Sequence, residues 1–62
     1  MFRSFYTIDY KLLKVFSRDF EYDAMMKYSL NTNVCYWEDY KADDKRHAIK
    51  IAREIGKRYR SK

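Results

Sequence analysis

The hydrophobic and polar positions of this chain follow two different repeats. In residues 43–60 the apolar side chains recur at intervals of three and four, which is the period of an α-helix. In residues 2–10 the side chains alternate between two faces and include many aromatic and β-branched types, which favours a half-buried β-strand. The pattern therefore predicts a strand near one end of the chain and a helix near the other.

A helix through residues 43–60 would carry an apolar face and a basic face on opposite sides. Asp43 or Asp44 can cap it, because either carboxylate can accept a hydrogen bond from a free amide of the first turn. The apolar face, which we expect to be buried, consists of Ala48, Ile51, Ala52, Ile55 and Tyr59. The basic face, called the basic row below, consists of Arg46, Lys50, Arg53, Lys57 and Arg60.

The middle of the chain allows more than one interpretation. Residues 11–16 fit a second strand or a helical turn, and residues 17–19 form a break. Residues 20–30 contain good helix formers at positions 24 to 27, but they also alternate without interruption over six positions, so we favour a strand. Asn31 to Asn33 then predict a tight turn, which would close a hairpin with a strand over 34–37.

These elements predict one α+β domain over residues 1–62. We expect a small antiparallel sheet of about three strands, packed against one C-terminal amphipathic helix. The alternative is a three-helix bundle, which would form if residues 9–16 and 18–30 were both helical.

Length and composition exclude several classes of protein. A chain of 62 residues makes at most one domain, with a small core. One cysteine rules out an internal disulfide, and one histidine among scattered carboxylates has no metal-ligand spacing. There is no apolar run near 18 residues, so we expect a soluble cytoplasmic protein with no metal and no cofactor.

The formal charge of +5 is concentrated in the last third of the chain. Residues 1–41 hold six cations and six anions, whereas residues 42–62 hold eight cations and three anions. Positive charge on a single element is typical of a protein that binds nucleic acid or an acidic surface.

The basic row is the strongest functional candidate. Its members stand about 5 to 6 Å apart over about 20 Å, and like charges at that distance destabilise a helix unless a partner supplies the opposite sign. A solvated surface helix is the ordinary explanation, but such a helix has interspersed acids, and Glu54 lies to the side of the row. We therefore predict contacts with the phosphate backbone of DNA or RNA. Arg58 and Lys45 would make secondary contacts.

Catalysis is not indicated. His47 is the only imidazole and is expected on the helix surface, while Cys35 is expected to fill space inside a strand. No ordered acid-base pair appears, so we predict no catalytic residues. Most of the seven tyrosines are expected to serve packing, and base stacking by them is a weaker hypothesis.

A second functional hypothesis belongs to another class. A non-enzymatic inhibitor, such as a phage accessory protein, could dock the same cations on an acidic surface of a larger protein. A homo-oligomer is compatible with both hypotheses, because it would enlarge a small core. Membrane binding is disfavoured, because the apolar face of the helix is narrow and lacks Trp, Phe and Leu.

Overall fold

A computed structural model describes residues 1–61 and contains three strands and two helices. The strands are β1 (Phe2–Tyr6), β2 (Leu12–Ser17) and β3 (Tyr36–Tyr40), and the helices are α1 (Tyr22–Tyr28) and α2 (Lys45–Arg60). The predicted α+β fold, with a C-terminal helix on a three-stranded antiparallel sheet, is confirmed, and the three-helix bundle is wrong. Within residues 1–61, no helix combines the length and the apolar character needed to cross a membrane.

The sheet has the order β2-β1-β3, and β1 pairs antiparallel with both neighbours. Side chains alternate along β1, so Phe2, Ser4 and Tyr6 lie on one face and Arg3 and Phe5 on the other. Each face has its own core cluster. The central strand therefore supplies buried residues to both sides of a very small domain.

Helix α2 covers the face that carries Phe2 and Tyr6. Phe2 packs with Val15 and with Ala48 and Ala52 of the helix. The Tyr6 hydroxyl donates a hydrogen bond of 2.8 Å to the carbonyl of Ala52. The Tyr40 hydroxyl donates one of 2.9 Å to Ala48, and its burial raises the pKa of that phenol to about 12. Two tyrosines thus fix the height and the rotation of α2 on the sheet.

The buried side of α2 differs from the predicted apolar face. Ala48, Ala52 and Gly56 are buried at intervals of four, whereas Ile51 and Ile55 are only half-buried. Small residues at that spacing let the helix approach the sheet closely, and this turns the helix so that the two isoleucines leave the centre of the contact. Of the five residues expected on the buried face, Ala48 and Ala52 are buried, whereas Ile51, Ile55 and Tyr59 are half-buried.

Helix α1 replaces the strand that was predicted over residues 20–30, so that prediction is wrong. Only Met25 is buried within α1, and it packs with Phe5 and Phe16 on the face opposite α2. The large residues that suggested alternation are mostly exposed; Phe20 is 91% exposed. The helix propensity of residues 24–27 and the burial of one methionine outweigh the alternation.

The strand predicted over residues 2–10 is shorter than expected, and the predicted hairpin at Asn31 to Asn33 is absent. The first strand ends at Tyr6, and the chain reverses through residues 7–11, where Tyr10 adopts φ of 60°. Asn31 to Asn33 do not close a hairpin: they connect α1 to β3, whose partner is β1. The Asn31 side chain accepts a hydrogen bond of 2.9 Å from the Asn33 amide, so a local turn does form there.

The cap of α2 is Asp44. Its side chain accepts a hydrogen bond of 2.8 Å from the His47 amide. The neighbouring Asp43 instead donates its own backbone N–H to His47 Nδ1 at 3.2 Å. Of the two caps that the sequence allowed, the structure therefore selects Asp44.

Candidate functional site

All five members of the basic row are exposed on α2. They span residues 46 to 60 of a helix that rises 1.5 Å per residue, so the row is about 21 Å long. The rotation of α2 on the sheet does not hide them, although Gly56 is buried beside Arg53 and Arg60. The predicted row is thus present as one continuous exposed strip.

Carboxylates elsewhere in the fold do not neutralise this strip. Within residues 1–61, no carboxylate oxygen lies within 4 Å of a nitrogen of the basic row. The acids are engaged elsewhere: Asp39 accepts hydrogen bonds from Arg3 at 2.6 Å and from Arg18 at 3.1 Å. Lys45 pairs with Glu21 at 2.9 Å, so it is less free for a partner than the row.

Hydrogen bonds and pairing with cations lower the pKa of the two engaged carboxylates, Asp39 and Glu21. The hydrogen bond from Arg3, aided by the charges of Arg3 and Arg18, lowers the pKa of Asp39 below its ordinary value. The backbone N–H of Ser17 and the ammonium of Lys45 likewise lower the pKa of Glu21. Both acids are therefore committed to their own cations. Near the end of the row, the hydrogen bond from Thr7 and, to a smaller extent, the charges of Lys11 and Arg60 lower the pKa of Asp9, so Arg60 has an acid in its neighbourhood without a salt bridge to it.

One end of the basic row is fixed to the sheet. Arg60 Nη1 donates a hydrogen bond of 2.8 Å to the carbonyl of Tyr10. The Tyr10 ring is stacked between Tyr36, with ring centroids 4.3 Å apart, and Tyr59, at 4.7 Å. The stack holds Tyr10 in its unusual left-handed conformation, and Tyr10 in turn positions the guanidinium of Arg60.

Two shallow depressions border the row. One, of 470 Å³, is lined by Lys45, Arg46, Ile49, Lys50 and Arg53. The other, of 260 Å³, is lined by Leu12, Arg53, Gly56, Lys57 and Arg60. In each depression several cations surround an apolar side chain, Ile49 in the first and Leu12 in the second. A phosphate group could contact several nitrogens there, and the sugar next to it could pack on the apolar side chain.

The sequence did not indicate these neighbours of the row. Ile49 lies one turn from Arg46 and Arg53, and its apolar character within a charged stretch is the signal that could have revealed it. Leu12 and Tyr10 come from the distant β1–β2 connection, and no local pattern links them to α2. Their contribution depends on how the helix sits on the sheet.

Glu54 lies on the other flank of α2, as expected. It borders a depression with His47, Lys50, Ile51, Ile55 and Arg58, so one member of the row, Lys50, also lines this flank. Arg58 is exposed on that flank. A partner that contacts the basic row therefore meets Arg58 only at its margin.

The remaining chemically reactive side chains form no second site. Among the described residues, no three His, Cys, Asp or Glu side chains are grouped so as to hold a metal ion. His47 is exposed, and its Nδ1 accepts a hydrogen bond from the Asp43 backbone N–H. Cys35 is exposed just before β3, so the prediction that it fills space inside a strand is wrong.

Comparison with protein-family models, with curated proteins and with solved structures yields no match to this chain. Any functional assignment therefore depends on the geometry of the basic row.

Proposed function

We propose that this protein binds nucleic acid through the sugar-phosphate backbone, with Arg46, Lys50, Arg53, Lys57 and Arg60 as its contacts. The observation that carries the proposal is the concentration of five exposed, unpaired cations along one face of α2. Arg3, Arg18 and Lys45 each have a carboxylate partner, whereas no described carboxylate lies within 4 Å of the row. Other described cations also lack a carboxylate within 4 Å, so the row is distinguished by having five of them on one helix face; these others are Lys11, Lys14, Lys27, Lys41 and Arg58.

The dimensions of the row suit a phosphate backbone. Neighbouring cations sit about 5 to 6 Å apart, and a duplex carries one phosphate per 3.4 Å of rise on each strand. The row of about 21 Å thus lies alongside about six base-pair steps. Binding would release condensed counterions from the polymer and would relieve the repulsion between adjacent cations of α2.

The contacts of Trp37, Tyr10 and Tyr59 within the fold favour backbone contact over base recognition by these rings. Trp37 projects from the sheet face opposite α2, where the Arg3 guanidinium lies 4.2 Å from the centre of its ring. Tyr10 and Tyr59 have their ring faces in contact with each other. Each of these rings has at least one face in contact within the fold, so we expect base stacking to contribute little and the sequence preference to be weak.

Fluorescence anisotropy with labelled random-sequence duplex DNA and single-stranded RNA tests the proposal. In one variant, Lys50→Glu and Arg53→Glu reverse two adjacent members of the row. The matched control carries Lys27→Glu and Lys41→Glu, two exposed lysines outside α2, so both variants have the same net charge. We expect the row variant to lose about tenfold or more in affinity, and the control to lose much less.

Three outcomes would contradict the proposal. Equal losses in the two variants would mean that net charge, and not the row, attracts the polymer. A lack of affinity of the unmodified protein for either polymer at low salt would favour a docking role on an acidic protein surface. Far-ultraviolet circular dichroism must show that the row variant keeps its helix, since an unfolded variant would mean that the two faces of α2 are assigned wrongly.

A further inference from the structure

The outer edge of β3 has no partner among residues 1–61. β3 is an edge strand, because only β1 pairs with it. No described residue outside β1 hydrogen-bonds to the backbone of Tyr36–Tyr40. A row of unpaired N–H and C=O groups is a template for another strand, and proteins usually protect such an edge with charges or with their own chain.

The opposite edge of the sheet has both kinds of protection. The Ser17 N–H donates to Glu21 Oε1 at 3.1 Å, and the Ser17 carbonyl accepts from the Glu21 amide at 2.8 Å, so the chain closes that end of β2. Lys14 is exposed in the middle of β2. Arg53 and Lys57 border Leu12, the first residue of the strand. Two copies that met through β2 would bring these cations together.

The β3 edge lacks equivalent protection. Its two acids are engaged within the fold: Asp39 binds Arg3 and Arg18, and Glu38 accepts a hydrogen bond of 2.9 Å from the Tyr59 hydroxyl. The exposed side chains of the strand are aromatic, with Trp37 55% and Tyr36 36% exposed. Within Tyr36–Tyr40 this edge therefore presents apolar surface and open backbone groups together, and the exposed Lys41 lies just beyond the end of the strand.

We propose that β3 pairs antiparallel with β3 of a second copy of this chain. Antiparallel pairing of identical edge strands places a two-fold axis normal to the sheet, so two three-stranded sheets join into one of six strands. The two β2 strands then lie at opposite ends, about 24 Å apart at about 4.8 Å per strand. The charge distribution supports a second copy as the occupant, because this pairing keeps the basic β2 edges and the basic rows far apart.

The dimer would also bury apolar area that the isolated chain exposes. A domain of this length buries only about 60% of its unfolded surface, so additional burial at Trp37 and Tyr36 adds stability that the small core does not supply. Both copies of α2 would lie on the same side of the extended sheet. The proposal does not depend on nucleic-acid binding.

Sedimentation and the fluorescence of Trp37 test the pairing without ligand. Trp37 is the only tryptophan, so its emission reports directly on this edge. Over concentrations from about 1 to about 500 µM, we expect the mass to rise from the 7.7 kDa of one chain to twice that value. The emission should shift to shorter wavelength over the same range as the indole leaves water. A single-chain mass and constant emission throughout would overturn the proposal.

A pair of variants locates the contact. Trp37→Lys puts a charge on the β3 edge and should restore the single-chain mass at high concentration. The control Ile8→Lys makes a similar change in the β1–β2 connection, at a residue that is 69% exposed, and should leave the doubling of mass unchanged. A Trp37→Lys protein that folds and still doubles its mass would overturn the proposal. If that variant does not fold, the concentration dependence of the Trp37 emission in the unmodified protein tests the pairing instead: a shift to shorter wavelength supports it, and constant emission overturns it.

Discussion

The carbonyl of Tyr10 lies against α2 at Gly56, so closely that a Cβ atom on Gly56 would sit 2.9 Å from the Tyr10 oxygen. The same oxygen accepts the hydrogen bond from Arg60. A glycine inside a helix costs about 1 kcal/mol relative to alanine, and this contact accounts for its presence in α2. The last turns of the helix and the β1–β2 connection are therefore fitted to each other through backbone atoms.

Gly56→Ala should destabilise the protein even though alanine favours helices. Tyr10 cannot easily move away, because its ring is stacked between Tyr36 and Tyr59. We expect the overlap to cost about 1–3 kcal/mol, which exceeds the gain in helix propensity of about 1 kcal/mol. Chemical denaturation measures the change. Glu54→Ala, an exposed helical control, should stay within about 0.5 kcal/mol, and a Gly56→Ala protein more stable than the original would refute the packing argument.

Asp44→Ala should lower the free energy of unfolding by about 1 kcal/mol, because the His47 amide loses its acceptor. Asp43→Ala is the matched control. Its carboxylate is exposed and lies 3.6 Å from His47, a contact too open to solvent to contribute much. Thermal unfolding of the two variants at neutral pH compares them. Equal losses, or a larger loss for Asp43→Ala, would mean that the cap is assigned to the wrong residue.

The arginine pair around Asp39 should make the protein sensitive to acid. Because the folded state lowers the pKa of Asp39, its carboxylate contributes full stability above the unfolded pKa of about 4, and this contribution is lost as the pH falls through the lower folded pKa. Asp39→Asn should therefore reduce stability by about 1–3 kcal/mol at pH 7 and by less at pH 2. Denaturant titrations at several pH values measure both effects.

The control for that titration is Asp23→Asn, since Asp23 is exposed in the first turn of α1. It should change stability little at pH 7 and leave the acid sensitivity in place. If Asp39→Asn loses the same stability at pH 2 as at pH 7, the ion pairs with Arg3 and Arg18 do not have the electrostatic role described here.

The C-terminal helix could be predicted from sequence because its signals agree over several turns. Sixteen residues give more than four turns of consistent periodicity, and the cap lies directly before them. Its exact rotation could not be predicted. Isoleucines outrank alanines in any hydrophobicity pattern, yet the close approach of the sheet selects Ala48, Ala52 and Gly56 for the contact.

The first two thirds of the chain carried weaker signals. Helix α1 is seven residues long, and over two turns an alternating pattern cannot be separated from a helical one. The end of β1 was missed because tyrosine rarely adopts positive φ, and the stack that stabilises Tyr10 there involves residues 36 and 59. The members of the basic row and their exposure could be predicted from the periodicity of the C-terminal helix alone. The hydrogen bond that fixes Arg60 to Tyr10 could not, because it depends on the complete fold.

The salt dependence of duplex DNA binding tests the central claim most directly. If four or five cations of the basic row each displace counterions from a phosphate, the logarithm of the association constant should fall against the logarithm of salt concentration with a slope of about −4. Affinity would then drop by about 250-fold between 50 and 200 mM salt. A slope near zero, or no measurable binding at 50 mM salt by a folded protein, would contradict the account.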